Sequence, residues 1–252
     1  MKKRIFIIIG IIIIVAGIAL GYWGLEKYLS EKNAGAVYED LKVDFGVEPV
    51  LELPEIKEDD INPIDFESLT AQYPDVYAWI RIPGTNVDYP IVQREGDNGY
   101  YLNHTVDGRK RVEGAIFTED YNQKDFEDPN TLIYGHNMKN GSMFKTLHKY
   151  KDRKFFEENR DVYIYQEGKV LKYKIFAAYT YDSRHLMLSF DFKDDIIYET
   201  YINSVLTKKD MSSNIDVTVP ITAKDKIITL STCNGNPNQR YLVQAVLLSI
   251  KE

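Results

Sequence analysis

The chain has 252 residues, 44% of them hydrophobic, 27% charged and 13% aromatic, which excludes wholesale disorder, a collagen-like repeat and a polytopic membrane protein. Net charge is −7, and because Lys2, Lys3 and Arg4 stand ahead of the first apolar run, the remainder carries ten more acidic than basic side chains. With no Lys/Arg-rich run interleaved with aromatics, so acidic a body would repel a phosphate backbone, and no nucleic-acid partner is expected.

From Ile5 to Leu20 there are sixteen residues without a polar side chain, and the apolar character continues through Tyr22 and Trp23 to Leu25. A helix over this 21-residue stretch is about 31 Å long at ~1.5 Å per residue, the thickness of a bilayer core. The basic cluster lies before the run and none comparable follows. The positive-inside rule therefore places the amino terminus in the cytoplasm and the body outside, with Tyr22 and Trp23 at the outer interface. A cleaved signal peptide is the alternative, with Gly17-Ile18-Ala19 as a loose cleavage site. The run exceeds the roughly 7 to 15 residues of a signal core, so residues 1–25 are read as a retained anchor of a single-pass cell-membrane protein.

Residues 26–62 are charged, with Leu53-Pro54, the acidic Glu58-Asp59-Asp60 and scattered Val37, Leu41 and Val43. They read as a partly helical extracytoplasmic stalk, leaving 63–252 as the folded unit. Asn62-Pro63 supplies an N-cap and a first-turn proline for a short helix carrying Phe66, Leu69 and Tyr73 and stopping before Pro74.

Beyond Val76 the pattern turns to period two, with β-branched and aromatic runs between turn residues. Strands are expected at Val76 to Ile82, Val87 to Gln93, Gly114 to Thr118, Thr131 to Tyr134, Val162 to Gln166, Val170 to Tyr181, Lys226 to Thr232 and Arg240 to Ile250. Eight strands in under 180 residues predict a mainly β chain closed, or nearly so, into a barrel. Two connections look helical. Ser142 can cap a helix bearing Met143, Phe144, Leu147 and Tyr150, and a second helix from about Lys193 to Thr207 sets Ile196, Ile197, Tyr201 and Val205 on one face to be buried.

Candidate chemistry centres on the single cysteine, Cys233, which has no disulfide partner. It ends an apolar strand and precedes the turn-forming Asn234-Gly235-Asn236-Pro237-Asn238, a position that exposes a thiol where a buried filler would sit mid-strand. His136 also follows a hydrophobic strand and a glycine, at the start of a loop. His104, after Tyr100-Tyr101-Leu102-Asn103, is the rival base; His148, inside a predicted helix, and His185, opening a loop, read as structural. Arg240 heads the last strand seven residues after the cysteine, so an antiparallel return brings its guanidinium to the same rim. There a cation lowers a thiol pKa and stabilises an oxyanion. The histidines show no CxxC, HExxH or paired-ligand spacing, and no metal or cofactor is expected.

These stretches resemble the sortases, membrane-anchored cysteine transpeptidases of Gram-positive bacteria, and class B most closely. TLIYGHNMKNGSMF at 131–144, ITLSTC at 228–233 and RYLVQAVLL at 240–248 carry the likeness, supported by WIRIPGTNVDYPIVQ at 79–93 and DNGYYLNH at 97–104. The resemblance implies an eight-stranded barrel with amino-terminal helices and a helix between the sixth and seventh barrel strands. It implies Cys233 as nucleophile, His136 as general acid and base, and Arg240 as the residue that positions substrate and stabilises the oxyanion. Asn98, Leu102, Ser231 and Thr180 match peptide-groove positions. The Cys233–Arg240 loop is shorter than in some relatives and Asn234 stands where an acid can occur, leaving an NPxTN-like or an (N/S/P)PxTG-like signal open.

The expected reaction is attack of the Cys233 thiol on the carbonyl after threonine of a carboxy-terminal sorting signal. The thioacyl intermediate is then transferred to an amine of a peptidoglycan precursor, joining the surface protein to the cell wall. No carboxylate or amide suited to orient His136 is visible in the sequence. The alternatives are an extracytoplasmic cysteine endopeptidase that releases to water and a catalytically silent binding module.

Overall fold

The computed structural model describes residues 2–45, 47, 62–210 and 213–252, the side chains of residues 2–8, 10 and 11 excepted. Strands β1 (Val76–Arg81), β2 (Asp88–Val92), β3 (Ile116–Thr118), β4 (Asn130–Tyr134), β5 (Asp161–Gln166), β6 (Lys169–Asp182), β8 (Ile227–Cys233) and β9 (Gln239–Lys251) follow the predicted segments to within one or two residues. A two-residue strand, β7 (Asn214–Ile215), is too short to leave a periodic signal. The sheet runs β5-β1-β2-β3-β4-β8-β9-β6, and β5 pairs with β6, so eight strands close into a barrel while β7 hangs on β6. Closure leaves no barrel strand with an unpaired edge.

Neighbouring strands are antiparallel except for β2–β3 and β4–β8, which run parallel. The second exception decides the site, because parallel neighbours end at the same rim.

Successive residues on β4, β6, β8 and β9 feed two cores. Ile133 on β4, Leu230 on β8 and Val243 on β9 point into the barrel, with the paired Ile80 and Ile164. Leu132, Leu242, Tyr179 and Val246 point outward and are covered by α6 (Asp195–Leu206). A buried polar chain ties this outer layer together: Gln244 Nε2 donates to Thr229 Oγ1 at 2.8 Å and to Tyr201 OH at 2.7 Å, and Thr229 Oγ1 donates to Asn130 Oδ1 at 2.8 Å.

Four local expectations need correction. In α3 (Phe66–Gln72) the cap is Asp65, which accepts from Ser68 N; Asn62 instead closes a turn onto Ile64 N. The segment at Phe144–Lys151 is a 3-10 helix without a cap from Ser142; its Phe144, Leu147 and Tyr150 plug the barrel end. On α6 the buried face is Tyr198, Tyr201, Ile202 and Val205, whereas Ile196 is 78% exposed, because it is the stripe at 198, 201, 202 and 205 that packs with Tyr179, Leu242 and Val246. The helix lies between the sixth and seventh strands of the barrel, β6 and β8.

The fourth concerns residues 26–62. α1 (Lys2–Lys32) presents exposed apolar side chains from Ile12 to Leu29 that no other part of the fold covers, and it is apolar and long enough to cross a membrane. α2 (Ala36–Asp44), in contrast to a free stalk, is seated on the barrel. Tyr38 OH donates to Gly114 O at 2.6 Å, its ring meets Tyr89 edge-on at 5.4 Å, and Asn140 Nδ2 donates to Ala34 O at 2.7 Å. The described part of this segment therefore includes a packing element that charge and sparse apolar spacing did not reveal. Residues 48–61, with Leu53-Pro54 and the acidic run, lie outside the described residues.

Gly114 occupies the left-handed region at φ +54°, where an added Cβ would sit 2.4 Å from the Tyr101 carbonyl oxygen. Gly168 in the β5–β6 turn is also left-handed at φ +73° but has open space. Gly114→Ala is expected to destabilise the fold by more than ~1 kcal/mol and Gly168→Ala by less, the difference being read by thermal melting of the two variants.

Candidate active site

At the rim where β4 and β8 end together, the parallel register pairs Tyr134 with Ser231, and Gly135 N donates to Ser231 O at 3.1 Å. Two residues further on along each chain stand His136 and Cys233. On the other side, antiparallel β9 places Arg240 directly opposite Cys233, a closer relation than a shared rim, and β6 places Tyr181 opposite Arg240. Residues opposite one another in a ladder share a face. Cys233, Arg240 and Tyr181 therefore form one row on the outer face, and Tyr134, Ser231, Leu242 and Tyr179 form the row beneath, while His136 opens the loop that leaves β4 at the same rim. Thr232 and Tyr241, one residue out of phase, are buried toward the barrel interior. Cys233 is exposed, and Arg240 and His136 are partly covered.

The His136 ring is fixed by a bond from Nε2 to the Leu102 carbonyl, at 2.7 Å. A carbonyl oxygen only accepts, so Nε2 carries the proton and Nδ1 is left to exchange one. The orienting group that no side chain in the sequence supplied is thus a backbone carbonyl from the 3-10 turn at Tyr100–Leu102. Gly135 is required next to it: a Cβ there would lie 2.5 Å from Ile116 Cδ1 and 2.6 Å from the Phe144 ring.

Arg240 Nη1 donates to its own loop at Gln239 O, 3.0 Å, and Pro237 O, 3.3 Å. That loop, Asn234 to Asn238, is stiffened by side-chain-to-backbone turns at Asn234 and Asn236 and by Asn234 Nδ2 donating to Gln239 Oε1 at 3.0 Å. Beside the guanidinium, Tyr134 OH donates to Glu119 Oε2 at 2.9 Å, and His185 Nε2 contacts the same oxygen at 2.6 Å. Burial and the Glu119 carboxylate push the Tyr134 phenol well above its ordinary value, and Arg240 acts in the opposite sense.

The groove candidates are distributed unevenly. Ser231 is buried and gives its carbonyl to Gly135 N. Exposed Leu102 reaches His136 through its backbone, Asn98 is held by Asp120 on both amide atoms at 2.7 and 2.8 Å, and Thr180 stands on β6 opposite Tyr241. His104, the rival base, is stacked on Tyr100 with centroids 4.0 Å apart and its Nδ1 on the Tyr100 carbonyl, which fixes it within its own turn. His185 secures the loop after β6 to Glu119. His148 departs from its structural reading, because its Nε2 reaches the carbonyl of Cys233 at 2.9 Å. Its place in an amphipathic helix hid this, and no spacing in the sequence could have shown it.

Two outcomes follow from this geometry. Gly135→Ala is expected to overpack the rim by ~1–3 kcal/mol, lower the melting temperature and, by displacing His136, cut turnover by at least ~10-fold. His148 is held below the ordinary imidazole range, chiefly by burial, with Lys151 and Lys145 adding to this and the bond to Cys233 opposing it. Its ring protons should titrate in NMR below the ~6.5 of a free imidazole. The unfolded chain then binds this proton first, so the group's contribution to stability is present above about pH 6.5 and is lost as pH falls.

The comparisons with known proteins agree with this arrangement. Residues 80–248 match the family model described as the Sortase domain. Sortase B of Staphylococcus aureus is 29% identical over 251 residues, covering 98% of both chains, and sortase B of Listeria monocytogenes is 36% identical over 179 residues, covering 69% of this chain and 70% of that one. The structure of Clostridium perfringens sortase B superposes with a TM-score of 0.67 at 32% identity, covering 73% of this chain and all of that chain. A crystal structure of S. aureus sortase B gives 0.70 at 28% identity, covering 86% and 99%. The chain belongs to the sortase family, as a class B cysteine transpeptidase.

Proposed function

We propose that Cys233 is the nucleophile, His136 the general acid and base, and Arg240 the oxyanion and substrate-positioning residue, in a transfer that moves the acyl part of a sorting signal onto a cell-wall amine. The observation that carries this is the register of β4, β8 and β9, which pairs Cys233 with Arg240 and ends β4 beside β8, so that His136 opens its loop at the same rim. The thiol passes its proton to Nδ1 of His136, and the thiolate attacks the carbonyl after threonine. The negative charge that develops on the carbonyl oxygen falls beside Arg240, whose Nη1 alone is engaged among the described residues, leaving Nε–H and Nη2–H₂ as donors. The imidazole, anchored through Nε2, passes its proton from Nδ1 to the leaving amine and takes one back from the incoming amine.

Asn98, Leu102 and Ser231 border the peptide groove in this reading, whereas Thr180, expected there from the sequence, lies opposite inward-facing Tyr241 and so on the other face of β6. The solved complex of S. aureus sortase B with its substrate is similar to this chain at 26% identity and TM-score 0.66, which supports substrate binding on this fold.

The exposed apolar face of α1 and the basic residues ahead of it support a single-pass anchor at residues 1–25 with the amino terminus in the cytoplasm. Residues 26–62 then connect it to a catalytic unit at 63–252, with α2 docked on that unit. The product is a surface protein joined to peptidoglycan.

Mass spectrometry of the full chain in detergent, incubated with a library of NPxTN-like and (N/S/P)PxTG-like peptides and a short amine, tests the reading. Transfer product is expected from the wild type and none from Cys233→Ala. Arg240→Ala is expected to lose ~10²–10³ in rate, the cost of removing an oxyanion donor. Hydrolysis alone at high amine would turn the reading to an endopeptidase.

A further inference from the structure

The carbonyl of Cys233 is held by two side chains from outside its strand: Asn137 Nδ2 at 2.8 Å and His148 Nε2 at 2.9 Å. Their position has a structural cause. Carbonyls alternate sides along a strand, so Cys233 O points the same way as Ser231 O, toward β4. Ser231 O still finds a backbone donor in Gly135 N, but two residues later β4 has ended and the chain has turned away into the loop that begins at His136. The Asn137 amide stands where the next backbone N–H of β4 would have been, and His148 supplies a second donor from the plug helix at Phe144–Lys151.

The elements that carry these donors are the neighbours of the other two reacting groups. Asn137 follows His136 in the chain. The His148 ring stacks on fully buried Tyr241, centroids 5.1 Å apart at 28°, and Tyr241 follows Arg240. One carbonyl oxygen thus ties the base's loop, the nucleophile and the strand of the arginine. Without it, the last residue of β8 would be held by β9 alone, and the exposed thiol would be free to swing out of its row.

We propose that Asn137 and His148 are positioning residues for the thiol, replacing the strand partner that β4 no longer offers and keeping Sγ at the rim it shares with His136 and Arg240. This rests on the reading of Cys233 as nucleophile. Because the carbonyl only accepts, His148 works as the Nε2–H tautomer, and a side chain that keeps the stack but lacks the donor separates the hydrogen bond from the packing.

The test measures kcat and KM for the full chain in detergent with the fluorogenic NPxTN- or PPxTG-type pentapeptide that the wild type cleaves fastest. Rates are normalised to thiol that reacts with iodoacetamide under native conditions, so unfolded material and occluded thiol are kept apart from poor aim. His148→Phe and Asn137→Ala are each expected to lower kcat ~10-fold with KM within about twofold. His148→Gln, which restores an N–H donor, is expected to return to within about threefold of wild type, and the double variant to lose on the order of 100-fold. Wild-type kcat in the double variant, or equal rates for His148→Phe and His148→Gln, would overturn the proposal. Turnover retained in Cys233→Ser would instead remove the nucleophile assignment itself, an outcome distinct from both.

Discussion

The parallel pairing of β4 with β8 is the constraint on which the site depends. Antiparallel neighbours carry their carboxyl ends to opposite rims. A parallel pair delivers both carboxyl ends, and whatever follows them, to one edge. Here that puts the residues after Tyr134 and after Ser231 side by side. The antiparallel β8–β9 hairpin then adds Arg240 opposite Cys233 at the separation of a cross-strand pair. Two hydrogen-bonded registers thus assemble three groups from distant parts of the chain, and a slip of one residue in either would turn one group toward the barrel interior.

The barrel supports this rim from both sides. Inward residues close it with a dry aromatic and aliphatic core that extends into the plug at Phe144–Lys151, while outward residues of β4, β6, β8 and β9 carry a second core beneath α6. The reacting groups lie on the outer face, where a peptide can reach them. Polar support comes mainly from the backbone: Leu102 O orients the imidazole, Gln239 O and Pro237 O hold the guanidinium, and Cys233 O receives Asn137 and His148. Catalytic orientation here depends on loop conformation more than on an added carboxylate.

The strands were legible because period-two alternation is a local property, and Cys233, His136 and Arg240 were legible because each stands where such a pattern breaks. His148 and the Leu102 carbonyl were not. The first sits in a segment whose apolar spacing reads as a buried helix, and the second is a main-chain group that any residue would supply. Tyr38 and Leu41 of α2 are buried on the barrel, yet nine residues with a weak apolar stripe carry no mark of what they pack against. The rotation of α6 was misjudged for a related reason: Ile196 and Ile197 are as apolar as Tyr198 and Ile202, and only packing against the outer face of the sheet decides which of them turns inward.

By itself the sequence determined the barrel's strands, the apolar amino-terminal helix and the three residues proposed for the chemistry, since alternation, hydropathy and strand-end position are written along the chain. Tertiary structure alone decided which strands run parallel, which face of β8 carries the thiol and which backbone groups hold the histidine and the cysteine. The parallel pairs join residues 25 and 97 positions apart, and the bonds that hold His136 and Cys233 span 34 to 96; a hydrogen bond across such a distance leaves no periodic trace in the sequence.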